Sequence, residues 1–562
     1  MSSDPDSKRR KLLTTTNTDD NVISGYIGID NGTQGLSVIF TDHSLHVLAT
    51  GEGSYDMVPD LPDGCYEQRT EDWDKALEEA MEQVREKLSP KKLDILGIGI
   101  SGQMHGQVLC NEEGKSIGTV RLWCDARNQA EGDELTDLFQ VKIPKRCTVA
   151  RWLYTIRNDP AWAAQVRHMT TPAGWISYRL TGKWTLGIGD ASGMFPIDQA
   201  TLTYHKGHLK AFDELVDKEY QKQTEPKGAP YPSLESILPK VACAGQDAGM
   251  LSEAGARLLG LDSHTTSNGI SIPVAGAEGD QPAAMAGSLI GRAGQVSCSF
   301  GTSVCANSVG SHAFQGVSPA VDHFCAHDGK PINMVWLRCG TTFMNTIVTC
   351  LGGGNIKQDS SSSISAFDTI MPLVVEAPPD CGGLIAMPFM DDEPGLSVHE
   401  GGTAMIMGWN SDNVKNPGNA AKAALLATMF NLKRGSAVLD DQGYPRKELI
   451  LTGGLVKTPG CGQILADVFN TPVTLLESAD EGSCWGAAVM AKYRSLYHRE
   501  GNESADGGFR DDWATFLESV QPKGRRRFEP NPEAVTIYEE TYQRYTKLLE
   551  LQPQLNQVMS QK

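Results

Sequence analysis

The chain has 562 residues, 40% of them hydrophobic and 21% charged, a composition that suits a soluble globular protein of several domains. Its formal net charge of −19 argues against a general nucleic-acid or membrane-surface binder, because such proteins present basic faces. No uncharged apolar run of about 18 residues occurs, so no membrane span is expected.

Residues 1–24 read as a disordered tail rich in Ser, Thr and Asp, and Lys8-Arg9-Arg10-Lys11 reads as a solvated charge run within it. The tail has no apolar core of a secretory signal. The thirteen cysteines are scattered singly, with no CxxC and no Cys/His pair at zinc spacing. Together these features point to a reducing compartment, the cytoplasm.

The fold is expected to start at Tyr26, with a strand running to Asp30, a tight turn at Gly32-Thr33-Gln34, a second apolar run over Leu36–Phe40 and a third near His46–Ala49. Glu71–Leu88 has helical periodicity, and Leu93–Ile100 is a buried strand that delivers Ser101-Gly102-Gln103-Met104-His105-Gly106 at its end. Ligands in open α/β sheets gather beyond the carboxyl ends of strands. Ala150–Asn158, Trp162–His168 and Pro172–Leu180 read as helices, whereas 200–240 reads as a polar, irregular surface excursion. Ile272–Ala275 reads as a strand, followed by Gly276–Gly279, Asp280, Gln281 and a helix from Ala283, with Pro282 suited to its first turn.

The second half restarts over Gly294–Phe300 and enters the turn Gly301-Thr302-Ser303. A Ser-rich loop over 359–364, a helix over Asn419–Asn431, a strand over Glu448–Leu451 entering Thr452-Gly453-Gly454, a helix over Ile464–Phe469, a strand over Val473–Leu476 and a helix opened by Glu481-Gly482 follow. Both halves alternate strand and helix, which defines an α/β protein of two similar lobes.

The chemistry gathers at strand ends. A Gly-Thr turn exposes backbone N–H groups and a hydroxyl, which suits polyphosphate oxygens. Two such turns, one opening each half, suggest a nucleotide gripped from both sides. Asp30 can hold Mg²⁺ through water or close its hairpin as an Asx turn. Gln103 and His105 carry groups that hydrogen-bond a polyol, and Trp123 with Asp125 and Arg127 offers a ring face beside polar groups. Asp280 either caps the helix that follows or accepts a proton from a substrate hydroxyl.

Asp30-Asn31-Gly32-Thr33, Gly301-Thr302-Ser303 and Thr452-Gly453-Gly454 resemble the two phosphate loops and the adenosine loop of the FGGY carbohydrate kinases. The resemblance spans about residues 25–495. It implies two actin-like, ribonuclease H-like lobes around a cleft: an N-terminal lobe over 25–288 for sugar and base, and a C-terminal lobe over 289–562 for nucleotide. Ser101–Gly106, Leu122–Arg127 and Gly279-Asp280-Gln281 are most similar to the xylulose-phosphorylating branch. This implies ATP and Mg²⁺ as cofactors, a small ketose as substrate, Asp280 as general base and Asp30 beside the metal. Gln103, Met104, His105, Trp123, Asp125 and Gln281 would then orient the sugar. Gly32, Thr33, Gln34, Gly301, Thr302, Ser303, Gly453 and Gly454 would hold the nucleotide. A homodimer is a further partner expectation. Asp391-Asp392-Glu393-Pro394 lacks the arginine the branch carries there, and Gln281 replaces an asparagine, a change shared with sedoheptulose kinases.

Overall fold

The computed structural model describes residues 21–222, 231–352, 365–476, 482–499, 512–520 and 525–560. The charge run at 8–11, the Ser-rich stretch at 359–364 and Glu481 lie outside them.

Alternating apolar residues and a Gly-Thr turn build a hairpin from β1 (Val22–Asn31) and β2 (Gly35–Thr41), extended by β3 (Val47–Ser54). The first strand thus begins four residues before Tyr26, within the stretch read as tail. Helix α1 (Thr70–Leu88) buries Trp73, Leu77, Met81 and Val84, spaced four, four and three residues apart on one helical face. β4 (Lys92–Gly102) is buried from Asp94 onward and pairs parallel with β1, as a strand between two covering layers should. Helices α2 (Thr148–Asn158), α3 (Pro172–Thr181) and α4 (Ile188–Met194) follow. The two-residue strand β5 (Glu278–Gly279) then leads directly into α5 (Asp280–Gly287). The first sheet runs β5-β4-β1-β2-β3.

The second half repeats this plan. Its strands are β6 (Gln295–Phe300), β7 (Val304–Val309), β8 (Val321–Cys325) and β9 (Pro331–Leu337). Helix α6 (Pro417–Asp441) leads to β10 (Glu448–Gly453), and α7 (Gly460–Phe469) to β11 (Val473–Leu476). Helix α8 (Gly482–Arg499) and β12 (Arg525–Phe528) follow. The sheet order is β8-β9-β7-β6-β10-β11-β12. β6 pairs antiparallel with β7 and parallel with β10, as β1 pairs with β2 and β4. The duplication suggested by two Gly-Thr turns is therefore a duplication of strand order.

Helix α8, from late in the chain, packs on β1 and β4 of the first sheet and crosses α5. Glycines make the approach possible. A Cβ at Gly99 or Gly28 would land on the carbonyl oxygen of Ala487 or Cys484, and one at Gly486 on that of Ala283. The small residues Ala487, Ala488 and Ala491 are fully buried there.

Three elements differ from the sequence reading. Within 200–240, Lys206–Lys222 forms a helix, because Leu209, Phe212 and Val216 make a buried stripe hidden among charges. Trp162–His168 is not helical: a single turn ends at Ala163, and His168 starts a short strand against Val108–Cys110. Ile272–Ala275 makes only bridge contacts, with Ala275 N–H donating to Ile98 O at 2.9 Å, and the paired residues are Glu278 and Gly279. Among the described residues, no helix is long and apolar enough to cross a membrane, and all thirteen cysteines are free thiols.

The glycine contacts give a prediction. Gly99→Ala or Gly486→Ala forces backbone against backbone, and equilibrium unfolding should show a loss of about 3 kcal/mol or more, at or above the usual cost of overpacking.

Candidate active site

Three parallel strand ends line up at the cleft. Asp30 stands in register with Ser101, and Ser101 with Glu278; one residue on, Asn31 faces Gly102 and Gly102 faces Gly279. The chain leaves the sheet here as Gly32-Thr33, Gln103-Met104-His105 and Asp280-Gln281. The second sheet repeats the arrangement, with Phe300 facing Gly453 just before Gly301.

The first turn closes with Gly32 N–H donating to Gly35 O at 3.0 Å. The Tyr55 hydroxyl lies 2.7 Å from Asn31 Oδ1 and 2.6 Å from Gly32 O. Gln68 Nε2 donates to Thr33 O at 2.7 Å. Neither Tyr55 nor Gln68 was singled out by sequence, since both lie on separate elements with no motif around them. In the second turn, Gly301 N–H donates to Ser303 O at 3.0 Å, while Gly340 N–H and Thr341 N–H hold Thr302 O and Gly301 O at 3.0 and 2.8 Å. Gly301 and Thr302 are exposed, and so is Gln34. Gly453, at φ +76°, takes a backbone shape that favours glycine, and Gly454 opens a short turn behind it.

The segment Asp391–Pro394 braces this second turn. Glu393, fully buried, accepts Cys339 N–H at 2.8 Å, and Asp392 pairs with Arg338. Arg338, 54 residues earlier in the chain, is thus the guanidinium paired with this segment.

Asp280 is the first residue of α5, with Gly279 at the cap position, and its carboxyl accepts the Gln281 N–H of the helix's first turn. Burial and the negative field of Asp30 raise its carboxyl to about 7, the Gln281 N–H offsetting part. Asp30 is itself raised by burial, with the Ser101 hydroxyl partly offsetting, and its Oδ1 is buried without a hydrogen-bond partner.

Met104 packs against Gly279, the residue before Asp280, and His105 against Gly193. A Cβ at Gly279 would collide with Met104, and one at Gly193 would stand 2.9 Å from the His105 ring. His105, at φ +68°, bonds Gly193 O through Nδ1 at 2.9 Å. Burial and the nearby Arg146 push its imidazole down to about 3, so it is neutral with Nε2 uncommitted in the described contacts. Trp123 is 43% exposed, and its Nε1 donates to Thr33 Oγ1 at 3.1 Å, setting the ring beside the first turn.

Gln103 and Asp125, expected beside the sugar, are each held by bonds within the first lobe. Gln103 is buried and spends its amide on Gly32 O at 3.2 Å and Gln68 Oε1 at 2.9 Å. Asp125 is fully buried. Burial opposes its charge, yet bonds from Arg127 and from Tyr66 N–H hold it below the usual carboxylate range. Gln281 accepts Asn307 Nδ2 at 3.1 Å across the cleft, tying α5 to β7.

Glu278, Asp190 and His327 were missed because nothing in sequence connects them. Glu278 is fully buried, accepts Asp190 N–H at 2.7 Å and lies 2.7 Å from Nδ1 of His327 of the second lobe.

This geometry places a raised carboxylate, two phosphate-type turns and hydrogen-bonding side chains in one cleft, the layout of an ATP-dependent phosphoryl transferase. Models of the N- and C-terminal domains of the FGGY family of carbohydrate kinases match residues 25–287 and 296–495. The chain belongs to this family and is a carbohydrate kinase that uses ATP. It is 25% identical to a xylulose kinase of Haemophilus influenzae over 538 residues, 92% of this chain and 98% of the relative. Among solved structures, a xylulose kinase from Brucella ovis superposes with a TM-score of 0.73 at 21% identity, covering 93% of this chain and 98% of that one. A gluconate kinase from Lactobacillus acidophilus gives 0.74 at 16% identity over 95% and 100%. The fold is thus common to kinases named for different sugars.

The Asp30–Asp280 coupling is measurable. In Asp30→Asn the nearest negative field is gone, so Asp280 should titrate at lower pH than the wild-type value of about 7. Carboxyl ¹³C NMR of Asp-labelled protein reads the shift directly.

Proposed function

We propose that the protein transfers the γ-phosphoryl group of ATP to a primary hydroxyl of D-xylulose, giving D-xylulose 5-phosphate. The observation that carries this reading is the Asp280 carboxyl, raised to about 7 and set at the carboxyl end of three aligned strands, one residue past the Gly279 on which Met104 packs. A base with a pKa near the working pH takes a hydroxyl proton most effectively. The name of the Haemophilus influenzae relative supports xylulose as the ketose.

In this reading Asp280 accepts the proton as the sugar oxygen attacks phosphorus. Gly32, Thr33 and Gln34 meet the phosphate chain from one lobe, and Gly301, Thr302 and Ser303 from the other. Gly453 and Gly454 leave room for the flat adenine. Neutral His105 accepts or donates through Nε2 to a sugar hydroxyl, Met104 forms the floor and the Trp123 ring covers one side. Most of the acceleration comes from alignment and charge stabilisation, since little covalent work falls to the protein.

The chemistry of the donor set fits Mg²⁺. Asp30 has a buried oxygen without a partner, and no group of three or more His, Cys, Asp or Glu that could hold a metal occurs among the described residues. Mg²⁺ is commonly held by one or two carboxylates, with waters and substrate phosphates completing its shell. Asp30 would hold it through water, and the ion would neutralise charge on the phosphates.

On a panel of ketoses in a coupled assay, D-xylulose should give the highest kcat/KM, with phosphate on C5 by ³¹P NMR. Sedoheptulose or ribulose turning over faster would reassign the substrate. Asp280→Ala should lower kcat by about 10²–10⁴, the usual worth of a positioned base, with the melting temperature retained. Below about pH 7 the base is protonated and idle. Wild-type kcat/KM for the sugar should therefore climb about tenfold per pH unit and level off above that value; a profile flat from pH 5 to 8 would remove Asp280 from the role.

A further inference from the structure

The segment between Lys142 and Arg151 touches the sugar side of the first lobe at one end and the second lobe at the other. Thr148 Oγ1 and Arg151 Nη1 donate to the His105 carbonyl at 3.0 and 3.1 Å. Arg151 Nη1 also holds the carbonyl of Arg146. These bonds fix the backbone of a residue in a left-handed conformation that histidine adopts only under constraint. The side chains of the same segment reach across the cleft. Lys142 Nζ lies 2.8 Å from Asp322 Oδ1 and donates to Pro319 O at 2.6 Å, and Arg146 pairs with Asp322 Oδ2. Asp322, on β8 of the second lobe, is 7% exposed, so water screens these pairs weakly.

One second-lobe carboxylate therefore anchors two first-lobe cations, one of which, Arg146, is tied through Arg151 to the backbone of His105. We propose that Asp322 is a positioning residue for the sugar, a latch that makes the placement of His105 depend on the docking of the second lobe through Arg146 and Lys142. The nucleotide turn at Gly301 belongs to the lobe that carries the latch, and the sugar side to the lobe that receives it. Nucleotide binding and sugar binding are thereby coupled, and such coupling is reciprocal. Breaking this weakly screened contact removes the link while leaving every sugar-facing side chain in place.

The test uses whichever ketose the wild-type enzyme turns over fastest. An error in the xylulose assignment would appear in the wild type and leave this test intact. In Asp322→Asn the sugar KM at saturating ATP should rise about five- to tenfold, at the low end of couplings between sites, while the Kd of a non-hydrolysable ATP analogue measured without sugar should change by less than about twofold. Asp322→Glu should recover most of the loss. By calorimetry, wild-type affinity for the ketose should increase in the presence of a non-hydrolysable ATP analogue, and Asp322→Asn should lose that increase. Arg146→Met, which keeps the Lys142–Asp322 pair, provides a second variant expected to shift the sugar KM in the same direction if Asp322→Asn does not fold. An unchanged sugar KM in both variants, an equal loss of analogue affinity measured without sugar, or no recovery with glutamate would each overturn the proposal.

Discussion

The contact on which the rest of the molecule depends is backbone against backbone. Helix α8 lies on β1 and β4 so closely that Gly28, Gly97 and Gly99 cannot carry a side chain; a Cβ at Gly97 would stand 2.8 Å from Ala491 O. The same helix crosses α5, where a Cβ at Gly287 would stand 2.7 Å from Gly482 O. A segment late in the chain thus covers the first sheet and pins the helix that begins with Asp280. Close packing of this kind has two discrete outcomes, seated or displaced, because protein interiors deform little. The position of the cleft carboxylate is set by this seating before any ligand arrives.

Charge is the second constraint. Asp30, Asp190, Glu278 and Asp280 come together at the carboxyl ends of the first sheet in a chain whose net charge is already −19. Glu278 accepts helix N–H groups and lies against His327, and Asp190 accepts the Thr171 hydroxyl at 2.5 Å. Asp30 has the Ser101 hydroxyl and Asp280 the Gln281 N–H, yet burial still raises both carboxyls, and the field of Asp30 raises Asp280 further. A site in that condition favours a cation beside Asp30, and the raised Asp280 carboxylate, once ionised, readily takes up a hydroxyl proton.

Much of the fold could be read from the chain because its signals are local. The Gly-Thr turns, the helix over Thr70–Leu88 and the strand ending at Gly102 each follow from periodicity and turn chemistry within a few residues. Asp280 stood out for the same reason, between a glycine run and Pro282. What escaped was long-range or masked. The charges over Lys206–Lys222 hid the stripe Leu209, Phe212 and Val216. The pairing of Gln103 with Gln68 joins residues 35 positions apart. Arg338 joins Asp392 across 54 residues, and α8 meets Gly28 across 456. Neither proximity leaves a trace in one sequence.

The most direct test of the account is a crystal structure with the ketose and a non-hydrolysable ATP analogue bound together. The account predicts a primary hydroxyl oxygen within about 3 Å of an Asp280 carboxylate oxygen, in line with a γ-phosphate flanked by Gly32-Thr33 and Gly301-Thr302. A sugar bound away from Asp280, or phosphates held by one turn alone, would contradict it.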